Sequence, residues 1–185
     1  MKKLRDVRAL ICAILFLFPI TKTTATYGDT LTGQIHTQND NESMPYKPLS
    51  IRTQSQDVHF KVQVATSPKQ LAIGLMFRKN LPDRTGMLFK FFPARQAKMW
   101  MKNTVIPLDM LFIHRSGEIA WIEENTQPLS TDVKMAPVPV AAVLEIAGGA
   151  VAQYGIKVGD TVLHPLFSSS AENSFSMSPT GKISP

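Results

Sequence analysis

Residues 58 to 64 alternate without a break, Val58, Phe60, Val62 and Val64 against His59, Lys61 and Gln63. A strict period of two commits such a segment to a strand with one face in a core. Leu49, Ile51 and Thr53 alternate in the same way, and Ser55, Gln56 and Asp57 can turn the chain between the two runs, so a hairpin is expected to open the domain. The same reading predicts strands over 87–92, 98–103, 108–114, 119–123, 140–146 and 161–164, with Gly117 and Gly159 at turns. Ser67 and Pro68 supply an N-cap and a preset first turn for a short helix over 69–73 that Gly74 ends. A second short helix, over 150–154, stops at Gly155. Many short strands and two helical pieces predict a mainly β fold, a small antiparallel barrel or jelly-roll-like sandwich. The repeated crossover helices of a doubly wound parallel sheet are missing.

The termini read differently. Lys2, Lys3, Arg5 and Arg8 precede a twelve-residue apolar run, 9–20, followed by polar residues and Ala25. This is the layout of a secretory signal peptide over 1–25, and the run is shorter than the ~20 residues a spanning helix needs, so no stable membrane span is expected after cleavage. An exported protein, periplasmic or extracellular, is the corresponding expectation. Cleavage would remove five of the 20 basic residues and one of the 14 acidic ones, leaving 15 against 13. Net charge then gives no ground for a nucleic-acid partner. The lone cysteine, Cys12, leaves with the leader, so the remainder has no thiol for disulfides, metal binding or catalysis. Residues 26–47 are polar and aperiodic and read as a disordered linker, and the serine-rich 166–185 reads as a disordered tail. The ordered domain is expected over 48–165.

Within it stand G-L-M-F-R at Gly74 to Arg78, G-M-L-F at Gly86 to Phe89, W-M-K-N-T at Trp100 to Thr104, I-P-L-D at Ile106 to Asp109, V-L-E at Val143 to Glu145 and I-K-V-G-D at Ile156 to Asp160. In order and spacing the set resembles the domain of unknown function family 192 over nearly the whole domain. The resemblance implies a small, mostly antiparallel β domain, often behind a signal peptide in bacteria, and implies no particular reaction. One departure is Ile73, where related sequences often carry a basic residue before the Gly-Leu-Met.

The densest chemistry lies between Met99 and Asp109. If 98–103 is a strand, Lys98, Trp100 and Lys102 share one face and Met99, Met101 and Asn103 the other. With the methionines inside, a tryptophan flanked by two ammonium groups is left at the surface or in a cleft, suited to stacking on a sugar ring or holding an anion. With the tryptophan inside, the lysines snorkel to the rim. Asn103, Thr104 and Pro107 can equally be a turn and nothing more. Asp109 opens a very apolar strand and needs a cation or backbone donors, Lys102 being nearest in sequence. Glu145 poses the same question, with Arg78 and Lys102 as candidate partners. A pocket with Trp100 as wall, Lys102, Asn103 and Asp109 as polar floor, and Arg78 and Glu145 as supports would bind an anionic or carbohydrate-like envelope ligand. If Asp109 and Glu145 converge, they could instead serve as acid and base on a polysaccharide. The third reading is a structural or interaction domain without a pocket.

Other clusters are less pointed. Arg78, Lys79, Arg84, Lys90, Arg95, Lys98 and Lys102 form a local basic excess against Asp83, either a solvated face or a contact for anionic polymers. Met76, Met87, Met99, Met101, Met110 and Met135 suggest core filling first and Cu(I) ligation second. His36, His59, His114 and His164 lack zinc-ligand spacing. No G-x-S-x-G elbow or glycine-rich phosphate loop is present, and no cofactor is expected. The proline-bearing loop 125–139 is long enough to wall a site or cap a barrel.

Overall fold

The computed structural model describes residues 41–168. The expected leader, the linker up to residue 40 and the tail from residue 169 lie outside the described residues. Seven strands form one sheet: β1 (Lys47–Arg52), β2 (Asp57–Ala65), β3 (Thr85–Arg95), β4 (Leu108–Ile113), β5 (Ile119–Thr126), β6 (Val140–Ala147) and β7 (Thr161–Leu163). Their spatial order is β5-β4-β6-β3-β2-β1-β7. The sheet curls until its edges touch at one end, where Glu118 bridges Thr161 and the Ile119 amide donates to the Asp160 carbonyl. The fold is therefore mainly β and barrel-like, as the strand pattern predicts. No helix among the described residues is long and apolar enough to cross a membrane.

One pairing departs from the antiparallel expectation: β2 and β3 run parallel, Gln63 beside Met87 and Val64 beside Leu88. The chain between them is long enough for a crossover and contains α1 (Pro68–Ile73). Ser67 caps α1 through the Gln70 amide while the Gln70 side chain returns to the Ser67 amide, a reciprocal capping box. Gly74 ends the helix at φ +51°, packed so closely on Phe89 that a Cβ would crowd the ring.

Both faces of the sheet are covered, which is why all six residues of β4 are buried. On the inner face, Val64, Leu88, Leu144, Leu111 and Ile122 lie in one row across five strands. They pack with Phe60, Ile51 and the side chains of α2 (Ala150–Tyr154). Each large apolar side chain fully enclosed there contributes roughly 1.5–3 kcal/mol. The outer face carries Gln63, Met87, Glu145, Met110 and Glu123 in the adjacent row. It is roofed by irregular chain from 74–82, 96–107 and 127–139, which buries Leu75, Ala97, Met99, Met101 and Ala136 against the strands. Gly86 lets β3 and β6 approach, since a Cβ there would overlap the Glu145 carbonyl oxygen.

Three expectations are corrected. Residues 98–103 are not a strand of the sheet: Met99 alone pairs, with Lys134, and a turn follows at Lys102 and Asn103, where Asn103 takes φ +58°. The period of two is real there, but it orders a roof strip over the sheet. The end of the expected linker is packed, because Asn41 is fully buried and its Nδ2 donates to the carbonyls of Gln70 and Gly74 at 3.0 Å each. Lastly, the expected tail begins as a third helix, α3 (Pro165–Ser168), anchored by the buried Phe167. Serine-rich composition hid one aromatic anchor.

Candidate functional site

Between α1 and the strip 98–104 the roof leaves a half-open cavity of about 80 Å³. Its walls come from Leu71 to Met76, Phe89, Lys98, Met99, Trp100 and Thr104, and Glu145 reaches it from the sheet. Each wall has a local cause. Met99 and Met101 point into the core, and the alternation turns Lys98, Trp100 and Lys102 outward. Paired bonds fix the strip: the Met99 amide donates to the Lys134 carbonyl, Lys134 donates back to Met99, and Met101 donates to Ser130. Loop 127–139 thus buttresses the wall without lining the cavity.

Glu145 is the unusual member. Its side chain is 4 % exposed and makes no hydrogen bond or ion pair among the described residues. Its neighbours across the strands are Met87 and Met110. Burial without a counter-charge disfavours the ionised form and pushes the carboxyl pKa up to about 8. At neutral pH it is therefore mostly a neutral acid, able both to donate and to accept a hydrogen bond. Trp100, 49 % exposed, presents its indole at the same cavity.

Of the six residues the sequence singled out, Trp100 and Glu145 line this cavity. The other four do not. Asp109 is wholly buried, and its carboxylate accepts from the amides of Asn125 (2.8 Å), Gly149 (3.1 Å) and Val151 (2.8 Å). It pins the end of β5 and the start of α2 to β4, so three backbone donors, and not Lys102, answer its charge. The register pairs Asp109 with Ile146 and Met110 with Glu145, which puts the two carboxyls on opposite faces of the sheet. The acid–base pair is thereby excluded. Arg78 is buried, its Nη2 donating to the Asn41 carbonyl (2.7 Å) and Gln63 Oε1 (2.5 Å). It clamps the segment beginning at Asn41 onto the fold and does not support Glu145. Asn103 shapes the turn and donates weakly to the Met76 sulfur. Lys102 is exposed on that turn, away from the cavity lining.

The arginines of the basic excess over 78–102 do not gather at one place, while Lys79, Lys98 and Lys102 stay exposed on the roof loops. Arg78 is interior, Arg84 lies over the Tyr154 ring at 5.3 Å, and Arg95 lies over Phe91 at 4.6 Å. Met87, Met101 and Met110 are fully enclosed between sheet and roof, where they fill an irregular space. No group of three or more His, Cys, Asp or Glu among the described residues could hold a metal ion. Sequence reasoning missed Thr104 and the α1 wall. The capping box followed by Gly-Leu-Met was the available signal, since it sets where the chain leaves the helix and turns over Phe89.

Residues 50–164 match DUF192, described as "Uncharacterized ACR". The chain belongs to this family. Among solved structures it is similar to a protein of unknown function from Novosphingobium aromaticivorans DSM 12444, with 38 % identity and a TM-score of 0.64, covering 65 % of this chain and 86 % of that one. It is also similar to a supposed transcription regulator from Sinorhizobium meliloti 1021, with 39 % identity and a TM-score of 0.64, covering 65 % of this chain and 95 % of that one. None of the curated proteins compared matches the chain. In this chain the motif Trp100 to Thr104 supplies the cavity with its aromatic wall, and Val143 to Glu145 supplies its acid.

Proposed function

We propose that this DUF192 domain is a binding module that seats one polar group of a carbohydrate-like envelope ligand against Glu145, with a ring of that ligand stacked on Trp100. The observation that carries the reading is a buried carboxyl, without a hydrogen-bond partner among the described residues, opening onto a cavity whose rim holds a half-exposed indole. A neutral acid offers one donor and a free acceptor, the pair that vicinal hydroxyls complement. The size of the cavity sets the mode of binding. Pockets that enclose whole small molecules run to about 300–1,000 Å³, so about 80 Å³ admits a single group and leaves the rest of the ligand outside.

Of the two ligand classes considered from sequence, the anionic one is less well supported. The floor carries a carboxyl, Arg78 is committed elsewhere, and Lys98 is the one cation in the lining. Catalysis by paired carboxylates loses its geometry with Asp109 on the other face. The leader-like N-terminus supports an exported location, where such glycans are met.

The test is retention on peptidoglycan and on neutral glycans by wild type, Trp100→Ala and Glu145→Gln. Loss of the indole is expected to weaken retention about tenfold, the order of one aromatic stacking contact. Equal retention by a folded Trp100→Ala protein would overturn the reading.

A further inference from the structure

Three roof loops meet at one dipeptide. The Phe77 amide donates to the Asn103 carbonyl at 2.8 Å, and the Leu129 amide donates to the Thr104 carbonyl at 2.9 Å. Phe77, Asn103 and Leu129 all take left-handed backbone angles, φ +65°, +58° and +63°. For bulky residues this conformation is unfavourable and calls for a reason. Interior packing does not supply one, because Phe77 is 63 % exposed and Leu129 60 % exposed, with the exposed Val105 beside them and Trp100 on the same strip. The strained backbone holds large apolar side chains out in solvent.

The charges between them are mostly positive. Lys79, Lys98 and Lys102 are exposed and make no ion pair among the described residues. The single acid on the three loops is the exposed Asp132, and Asp83, just past the first of them, is engaged by the Tyr154 hydroxyl. We infer that this roof is a docking surface for an anionic lipid bilayer: Phe77, Val105, Leu129 and Trp100 enter the interfacial region and Lys79, Lys98 and Lys102 meet the headgroups. Isolated apolar tips on irregular loops, spaced by lysines, suit a deformable interface that accepts each tip separately, and indole rings and lysine stems favour that depth. A protein partner would instead ask for a continuous, well-packed apolar patch. Docking and glycan stacking both engage Trp100, so the two exclude each other at any one time.

Trp121→Phe leaves Trp100 as the only indole of the full chain and therefore as a local reporter. With vesicles of phosphatidylcholine containing phosphatidylglycerol, Trp100 emission is expected to shift to the blue and to be quenched by brominated lipid. Phosphatidylcholine alone should leave it unchanged. Each of Lys79→Ala, Lys98→Ala and Lys102→Ala should weaken partitioning about fivefold, and added salt should do the same. Phe77→Asn with Leu129→Asn suits the left-handed backbone, so thermal stability is kept while the shift is lost. No shift on anionic vesicles, or an equal shift on neutral ones, would overturn the inference. So would a shift produced by lipid-free envelope protein and not by vesicles, which would assign the surface to a protein.

Discussion

Asp109 and Glu145 sit on adjacent strands, one residue out of register, and point to opposite faces of the same sheet. Their fates follow from that. Asp109 is buried where three backbone amides converge on it, so its charge is fully answered and serves as a pin. Glu145 lies between Met87 and Met110 and makes no hydrogen bond or ion pair among the described residues, so it stays largely protonated at neutral pH and opens onto the cavity.

Glu145→Gln is expected to change the pH dependence of folding. Below pH 4.5 both folded and unfolded states carry the protonated acid, and no pH-linked term arises. Between pH 4.5 and about 8 the unfolded chain releases the proton and the folded chain keeps it, so wild-type stability falls as pH rises. Above about 8 the loss is complete, on the order of 4–5 kcal/mol. Urea denaturation at acidic, neutral and alkaline pH should show the glutamine variant matching wild type in acid and exceeding it in base. Parallel pH profiles would show that Glu145 is not held in the protonated form.

Asp109→Asn should destabilise without touching the cavity. The amide retains one carbonyl oxygen for Asn125 and Gly149, but its NH₂ would face the Val151 amide, donor against donor. A loss of about 2–4 kcal/mol is expected, with faster hydrogen exchange at Val151 and glycan retention unchanged at temperatures where the variant is folded. A loss of glycan retention in that folded variant would place Asp109 in the site after all.

Gly86→Ala tests how closely β3 must approach the strand that carries Glu145. The added methyl overlaps the Glu145 carbonyl and also meets Ile146, and backbone cannot swing aside as a side-chain tip can. Destabilisation of about 2 kcal/mol or more is expected from chemical denaturation. A variant as stable as wild type would mean that the two strands part without cost.

Local pattern was enough to read most of the fold. Alternation in β1 and β2, the all-apolar run of β4, the capping box of α1 and the glycines that end α1 and α2 act over a few residues, and they are visible in the chain itself. The outward set of Trp100 and the lysines beside it follows from alternation too, once one face is known to be core. Which face that is, and what the strip lies against, are long-range matters. The parallel alignment of β2 with β3, the roof over the outer face and the burial of Asn41 by Arg78 and α1 depend on partners far along the sequence. So does the division between two similar carboxylates. Composition determined that each acid would be surrounded by apolar residues, because both lie in apolar runs. Only the register between β4 and β6 decided that one faces backbone donors and the other faces a cavity, since a shift of one residue exchanges the faces of every side chain on a strand.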